Sequence, residues 1–371
     1  MNSALDKIPG QDRVKQILNN FLQSNSIPHA FLFTGMEGVG KDFTAIQFAK
    51  ALIETKNSKE PEKAIRWIEQ LQEPYIKLIF SLPRGKNEID TSSPTEKLTQ
   101  DEIELVREQI DIKAANPFHK ISIPKANLIK INSIRDIKKF LSMDYDEIGY
   151  RFVIISDAHL MNEESQNALL KSLEEPPDKV IFILTTPYVS KLRSTIVSRC
   201  WRINFDPLSE EEIKGILTQY FEIDNQTASE VAPFAMGSVQ YALNLIDMNI
   251  HNLKEKTISI LRYSFGRKFN SAFDELNSVI SDQSSTNFPI LIGMIITWLN
   301  DIQKFKLDIK KYFYNDHIET LEKFYNKFPD VDLSDITTRL DRLSNLPRNN
   351  INPSLLSASL IFELAYVVLN K

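Results

Sequence analysis

The sequence predicts an α/β domain built on a parallel sheet, followed by an all-helical region. Two short apolar runs, at residues 152–155 and 180–184, are typical of strands buried on both faces, because apolar and polar residues do not alternate in them. A helical pattern lies between them, with Asn162 as its candidate N-cap and Pro176 and Pro177 at its end. Strand, helix and strand in this order indicate a parallel crossover unit, so the expected fold class is α/β plus all-α.

A candidate phosphate-binding loop precedes this unit. Residues 30–34 (AFLFT) have the character of a strand, and the GMEGVGKD that follows has the G-x-x-x-x-G-K spacing. Glycines at these positions let backbone N–H groups turn towards phosphate oxygens, the lysine adds a cation, and a helix N-terminus adds its dipole. The candidate phosphate-binding residues are Gly35, Gly38, Gly40, Lys41 and Asp42.

Asp42 is the departure in this loop. A Ser or Thr hydroxyl normally follows the lysine and holds Mg²⁺, whereas a carboxylate repels the β- and γ-phosphates unless a metal intervenes. We therefore expect the loop shape to be retained without competent hydrolysis of Mg-ATP. Whether ATP or ADP binds there passively stays open at this stage.

Composition narrows the class of protein. The chain has 371 residues, a net charge of −5 and a single cysteine, Cys200. Internal disulfides and a four-cysteine zinc site are therefore excluded, and a reducing cytoplasm is the expected compartment. The longest apolar stretch, at residues 288–299, is too short to cross a bilayer. The acidic balance argues against a dedicated non-specific DNA binder.

The pattern along the chain predicts three domains. An α/β domain spans residues 1–206 and carries a charged, proline-containing insertion at about 54–120, expected to be a surface excursion. Within this domain, residues 127–131 have strand character and Ser133 is a candidate cap for the next helix. A helical lid follows at 207–249, with a hinge near 248–252. Residues 250–371 are expected to form a helical collar for oligomerisation, including a helix at 309–326.

Several motifs occur together and in order: the loop GMEGVGKD, the segment NALLKSLEEPP at 167–177, a strand ending in Thr185 and Thr186, and the trio Ser198-Arg199-Cys200. In combination they resemble the clamp-loader branch of the AAA+ ATPases and, within it, the delta-prime family of bacterial DNA polymerase III. The resemblance covers about residues 5–250. NALLKSLEEPP with Ser-Arg-Cys is its specific part, and the loop by itself is a weak signal.

The resemblance implies an AAA+ nucleotide-binding domain, a lid and a collar that joins five subunits. The implied partners are the gamma/tau and delta subunits, with the sliding clamp and primed DNA contacted through the assembled ring. It also implies that Arg199 is an arginine finger, which stabilises charge on a γ-phosphate bound by the neighbouring subunit. From the residues alone, Arg199 can instead pair with a local carboxylate at a helix end.

The departures from active members of the branch favour a subunit that does not hydrolyse ATP. Besides Asp42, Ser156-Asp157 stands where an Asp-Glu pair binds metal, and Gln240 stands where an arginine reads the γ-phosphate. Thr185 and Thr186 are the sensor-like residues. The four-cysteine zinc module of many relatives is replaced by the 54–120 insertion, which contains no cysteine, so zinc is not expected. The implied role is a stator.

Two other functions stay open. The first is a working gamma/tau-like AAA+ ATPase in which Lys41, Asp42 and Asp157 form an unusual metal site. The second is a DNA-binding replication initiator of the same superfamily, which the lack of a candidate basic recognition helix disfavours. We expect the isolated chain to bind primed DNA weakly.

Overall fold

The computed structural model describes residues 3–24, 26–56, 60–142, 149–280, 284–329, 331, 333, 335–344 and 352–369. These residues form two compact units, one of residues 1–225 with 237–240, the other of residues 226–236 with 241–371. The three domains expected from the sequence stay a prediction.

The first unit is built on a five-stranded sheet in which all the paired strands run parallel. The strand order is β2-β3-β4-β1-β5, so the chain crosses over between non-neighbouring strands and confirms the predicted fold class. The strands are β1 (Ala30–Thr34), β2 (Ile76–Ile79), β3 (Arg151–Ile155), β4 (Val180–Thr186) and β5 (Trp201–Asn204).

Both faces of the sheet are buried, as the continuous apolar runs predict. Phe31 and Phe33 of β1 belong to one core cluster, and Ala30 and Leu32 belong to the cluster on the opposite face. This division follows from the two-residue period of a strand. The helices of this unit are α1 (Asp12–Gln23), α2 (Lys41–Thr55), α3 (Pro61–Glu69), α4 (Gln100–Ala115), α5 (Ile131–Ser142), α6 (Glu163–Glu174), α7 (Ser194–Val197) and α8 (Glu210–Tyr220).

Side-chain caps mark the starts of two helices, one of them at the predicted cap Asn162. Asn162 accepts a hydrogen bond from the Ser165 N–H and begins α6. Ser209 and Glu212 form a reciprocal capping box at α8. In each case a side-chain oxygen satisfies a backbone N–H that the helix itself leaves without a partner.

Two expectations for this unit are corrected. Only part of the 54–120 segment is a surface excursion, because β2 pairs with β3 at the edge of the sheet. The strand expected at 127–131 is a single bridge between Ile129 and Met161, and α5 begins at Ile131, so Ser133 lies inside the helix and does not cap it. The period of so short an apolar run does not distinguish a strand from a helix.

The second unit is helical in its described residues. Residues 309–314, expected to begin a helix, lie outside the helices, and the next helix begins only at Ile318 after a 3₁₀ turn at Asn315–His317. No helix in the described ranges is long and apolar enough to cross a membrane. The remaining helices of the chain are α9 (Asn225–Val231), α10 (Val239–Asp247), α11 (Ile250–Phe265), α12 (Phe269–Ile280), α13 (Ser284–Lys306), α14 (Ile318–Lys327), α15 (Ile336–Ser344) and α16 (Pro353–Leu369).

Candidate functional site

The glycine-rich loop connects β1 to α2, at the carboxyl edge of the sheet where ligands of such folds bind. Gly38 and Gly40 have positive φ angles of 77° and 87°, a region that favours glycine. A Cβ on Gly38 would lie 2.5 Å from the backbone nitrogen of Gln240, and one on Gly40 would lie 3.2 Å from the Phe118 ring. The loop is therefore closely covered by other parts of the chain.

The Lys41 side chain is directed at its own loop. Its ammonium donates to the carbonyl oxygens of Gly35 at 2.9 Å and Met36 at 2.6 Å. Burial lowers the pKa of Lys41, and the carboxylates of Asp42 and Asp157 oppose that shift. The lysine that would reach a phosphate is thus engaged within the loop.

Asp42 is held by three side chains from three other elements. Its Oδ2 accepts from the Lys113 ammonium and from the Ser156 hydroxyl, each at 2.9 Å, and its Oδ1 accepts from the Thr185 hydroxyl at 2.8 Å. Burial works against the charged form, but the Lys113 charge and the three hydrogen bonds outweigh it and lower the pKa of Asp42. The side chain is therefore a carboxylate at neutral pH.

The residues at this position do not fit a Mg²⁺ ion of the kind that the resemblance implies. Mg²⁺ needs near-octahedral oxygen ligands, and the Asp42 oxygens already accept from one ammonium and two hydroxyls. The Lys113 ammonium supplies the positive charge that a metal would otherwise bring. Across the described ranges, His, Cys, Asp and Glu side chains form no group of three or more that could hold a metal ion.

Lys113 and Phe118 were missed by the sequence reasoning. Lys113, at the end of α4, is 3% exposed and also donates to the His119 carbonyl at 2.7 Å. Phe118 stacks on Phe43 of α2 with 4.7 Å between ring centroids. Both residues lie in a charged stretch that contains no motif, so no local signal identifies them. The one indirect signal is the carboxylate of Asp42 itself, which is stabilised by a nearby positive charge.

Asp157 lies next to this group. Burial, together with the nearby Asp42 carboxylate, raises its pKa to about 6, with Lys120 acting in the opposite direction. Its neighbour His159 is buried, which lowers the pKa of the imidazole to about 4. The His159 Nδ1 lies 3.9 Å from an Asp157 carboxylate oxygen. Near neutral pH, the histidine is therefore uncharged.

The two sensor-like threonines point to different partners. Thr185 donates to Asp42 and accepts from the Asp157 N–H at 3.2 Å. Thr186 instead accepts from the Tyr188 N–H at 3.0 Å. Successive residues of a strand face opposite sides of the sheet, so β4 brings only Thr185 to the Asp42 carboxylate.

A cavity of about 80 Å³ remains between these groups, lined among others by Lys41, Asp42, Lys113, Asp157 and Gln240. Pockets that hold drug-sized ligands are about 300–1,000 Å³. The segment 237–240 closes one side, since the Val239 N–H donates to the Gly38 carbonyl at 3.1 Å. The space left beside the loop in this conformation is therefore small.

Arg199 does not line the cavity. Its guanidinium donates to the Glu174 carboxylate at 2.7 Å and to the Thr195 carbonyl at 2.9 Å. The pair is exposed, with 34% of the Arg199 side chain and 48% of the Glu174 side chain accessible. The chain by itself thus adopts the local pairing that the sequence left open, and Glu174 comes from the NALLKSLEEPP segment.

Comparison with known proteins adds to this geometry. The sequence model of the family described as DNA polymerase III, delta subunit, matches residues 10–209, more than half of the chain. The chain belongs to this family. The match covers the loop, the Asp42 group and Arg199, and it stops before the helical second unit.

The individual relatives that match the chain are subunits of DNA polymerase III. The chain is 29% identical over 262 residues to the gamma subunit of Buchnera aphidicola from Schizaphis graminum, covering 68% of this chain and 61% of the relative. It is 28% identical over 250 residues to the tau subunit of Bacillus subtilis (66% and 37%). It is 31% identical over 250 residues to the tau/gamma subunit of Haemophilus influenzae (66% and 30%). The match thus spans less than two thirds of the length of each relative.

Solved structures that match the chain include a gamma-subunit-related protein of DNA polymerase III from Thermotoga maritima. It has a TM-score of 0.39 and 17% identity, and the match covers 96% of this chain and 98% of that one. The RuvB Holliday junction branch migration motor of the same organism has a TM-score of 0.38 and 14% identity, with coverages of 96% and 87%.

Proposed function

We propose that the chain is a clamp-loader subunit of bacterial DNA polymerase III that does not hydrolyse ATP, as in the delta-prime family. Its membership of the polymerase III delta-subunit family and its gamma and tau relatives support a place in this complex. In the proposal, the α/β domain of 1–206, the lid of 207–249 and the collar of 250–371 build a stator beside active subunits.

One observation carries the proposal. The carboxylate that replaces the metal-binding hydroxyl, Asp42, is neutralised by an ammonium of the same chain, Lys113, at 2.9 Å. Phosphoryl transfer depends on a metal that bridges the β- and γ-phosphate oxygens, and this pair supports a loop from which that metal is excluded. Ser156 and Gln240 replace two further groups of an active site, so turnover by this chain is not expected.

In the assembly, Arg199 acts on a neighbour. We propose that its guanidinium leaves Glu174 and stabilises the γ-phosphate of ATP bound by an adjacent gamma/tau subunit. Breaking an exposed ion pair costs about 0–1 kcal/mol. Contacts formed in a subunit interface can offset this cost when the Arg199 guanidinium leaves Glu174 for the γ-phosphate. The delta and gamma/tau subunits complete the proposed five-subunit ring, and the sliding clamp and primed DNA are contacted through it.

The second candidate is an active gamma/tau-like ATPase. It is favoured by the names of the relatives, which are gamma and tau subunits. It is also favoured by Asp157, because a carboxyl with a pKa of about 6 has the basicity of a general base. This candidate requires Lys113 to leave Asp42 so that Lys41, Asp42 and Asp157 can hold a metal.

ATP turnover separates the two candidates. The purified chain is assayed alone, and then a gamma/tau ATPase is assayed with added wild-type or Arg199→Ala protein. Arg193→Ala is the matched control, because Arg193 is also an exposed arginine in an ion pair, at 2.6 Å from Glu163.

We expect no turnover by the chain alone, and stimulation of the partner that Arg199→Ala abolishes and Arg193→Ala preserves. Turnover by the chain alone that Lys41→Ala abolishes would establish the second candidate. Stimulation that survives Arg199→Ala would remove the arginine-finger role. Tight binding of primed DNA by the isolated chain at high salt would contradict its dependence on the ring.

A further inference from the structure

The second unit contains a larger cavity than the nucleotide loop does. Its volume is about 410 Å³, against about 80 Å³ at the loop. Three helices supply its walls, α11, α13 and α14, with the residues that directly follow α11 and α14. The lining residues are Leu261, Arg262, Phe265, Gly266, Trp298, Thr320, Lys323, Phe324, Lys327 and Phe328.

The interior of this cavity is aromatic. The Trp298 and Phe324 rings meet edge to face at 5.2 Å, and the Phe265 and Phe324 centroids lie 4.7 Å apart. Trp298 is 1% exposed, and its indole N–H has no acceptor among the described residues. A buried donor without an acceptor is costly, and the ring that carries this donor lines the cavity.

The cavity also carries three cations: Arg262, Lys323 and Lys327. Lys323 pairs with Glu319 at 3.2 Å, both side chains being largely exposed. Neither Arg262 nor Lys327 has a carboxylate within 4.0 Å among the described residues. Arg262 and Lys327 also stand in the last turns of α11 and α14, where cations offset the helix dipole. The Lys327 ammonium also lies 5.3 Å from the centroid of the Phe328 ring. Neither the helix dipole nor an aromatic ring neutralises a full charge, so both cations can attract an anion.

We propose that this cavity binds a small amphipathic organic anion, with an aromatic or alkyl body among the rings and a carboxylate at Arg262 and Lys327. The volume falls within the range of small-molecule pockets, which are lined mainly by apolar and aromatic side chains with a few polar groups. Charge complementarity selects an anion over a neutral or cationic body. This proposal is independent of the nucleotide loop and of Arg199.

The test uses Trp298 as its reporter. In the full-length variant Trp67→Phe/Trp201→Phe, Trp298 is the one remaining tryptophan. Decanoate and phenylbutyrate are titrated against it, with decanol and phenylbutanol as neutral counterparts. We expect saturable changes in Trp298 emission for the two acids and weaker binding of the alcohols, because the alcohols lack the charge that the two cations attract.

The charge contribution is measured with Arg262→Gln/Lys327→Gln, which leaves the core rings in place. We expect the Kd for both acids to rise by roughly tenfold. Each exposed charge contact that is lost should weaken binding by about two- to fivefold, and the variant loses two such contacts. Lys310→Gln/Lys311→Gln is the matched control, removing two exposed charges of the same unit that do not line the cavity. Its Kd is expected to be unchanged.

The proposal is overturned if neither acid perturbs Trp298 up to millimolar concentration, or if acid and alcohol bind equally. An equal loss of affinity for the acids in the two double variants would also overturn the proposal, because binding would then depend on the net charge of the protein alone. A peptide with phenylalanine between acidic residues is a further ligand to titrate, since phenylalanine does not contribute to tryptophan emission. Its binding without that of either acid would make the cavity a protein-docking site and would end the small-ligand proposal.

Discussion

Lys113 and Asp42 are 71 positions apart in the chain, and their charged groups lie 2.9 Å apart at the phosphate loop. The Lys113 side chain is 4% exposed and the Asp42 side chain 21% exposed. An ammonium from α4 thus provides the counter-charge of the Asp42 carboxylate at the loop. This relationship determines both the stability of the loop and its chemistry.

Removing one partner of this pair is expected to destabilise the fold. Lys113→Met leaves the Asp42 carboxylate without its counter-charge, and the free energy of unfolding should fall by about 3 kcal/mol. The further change Asp42→Asn should recover much of that loss, because the uncompensated charge is then gone. Urea unfolding of the two single variants and the double variant measures the coupling.

Lys120→Met is the control for this experiment. Lys120 lies in the following loop and pairs with Glu37, but both side chains are 45% exposed. The substitution Lys120→Met should lower the free energy of unfolding by less than about 1 kcal/mol. Equal losses for Lys113→Met and Lys120→Met would contradict the buried pair.

The neighbours Asp157 and His159 should give opposite pH dependences of stability. The pKa of Asp157 is raised to about 6, so the folded state binds the extra proton and stability falls as pH rises from about 4 to 6. The pKa of His159 is lowered to about 4, so the unfolded state binds the extra proton and stability rises over about pH 4 to 6.5. In the wild type, the two slopes largely cancel.

Single substitutions should separate them. His159→Gln is expected to leave the falling slope and Asp157→Asn the rising one. Chemical unfolding at closely spaced pH values between 4.5 and 6.5 (roughly the window set by these shifts) measures the slope of each variant. Parallel curves for the two variants would show that neither group titrates as described.

The exposed pair of Arg199 and Glu174 should restrain the proposed finger only weakly. Glu174→Gln removes the charge that competes for the guanidinium, so half-maximal stimulation of a gamma/tau ATPase should need less of this protein. Stability should change by less than about 1 kcal/mol, because both side chains are exposed. Glu175→Gln, one position along and also exposed, is the control and should behave as the wild type does.

Cys200 should be an unreactive thiol in the folded protein. Burial raises its pKa to about 12, whereas a free thiol has a pKa of about 8.5 and reacts as the thiolate. Alkylation by iodoacetamide at pH 8 should therefore be at least about a hundredfold slower in native buffer than in guanidinium chloride. Comparable rates in the two solvents would place the thiol in contact with water.

Much of the fold follows from local patterns in the amino-acid sequence. The apolar runs of β1, β3 and β4, the glycine spacing of the loop, and the capping residues Asn162 and Ser209 each act over a few neighbouring residues. A strand buried on two faces needs a continuous apolar run, and a helix start needs an oxygen near its free N–H groups. These elements were therefore predictable. The structure of residues 127–131 was not, because periodicity is ambiguous over so few residues. The start of the helix expected at 309–326 was not either, because a periodic pattern defines the ends of an element less sharply than its type.

The site itself depends on distant contacts. The sequence by itself determined that a carboxylate, Asp42, stands in place of a hydroxyl, but it contains no local signal for the cation that pairs with this carboxylate. In the tertiary structure the partner of Asp42 is Lys113, because α4 ends beside the loop and buries that ammonium against the Asp42 carboxylate. It also brought Thr185 and not Thr186 to Asp42, through the alternation of β4. Electrostatic and hydrogen-bond partners depend on spatial distance, which only packing of the whole chain defines.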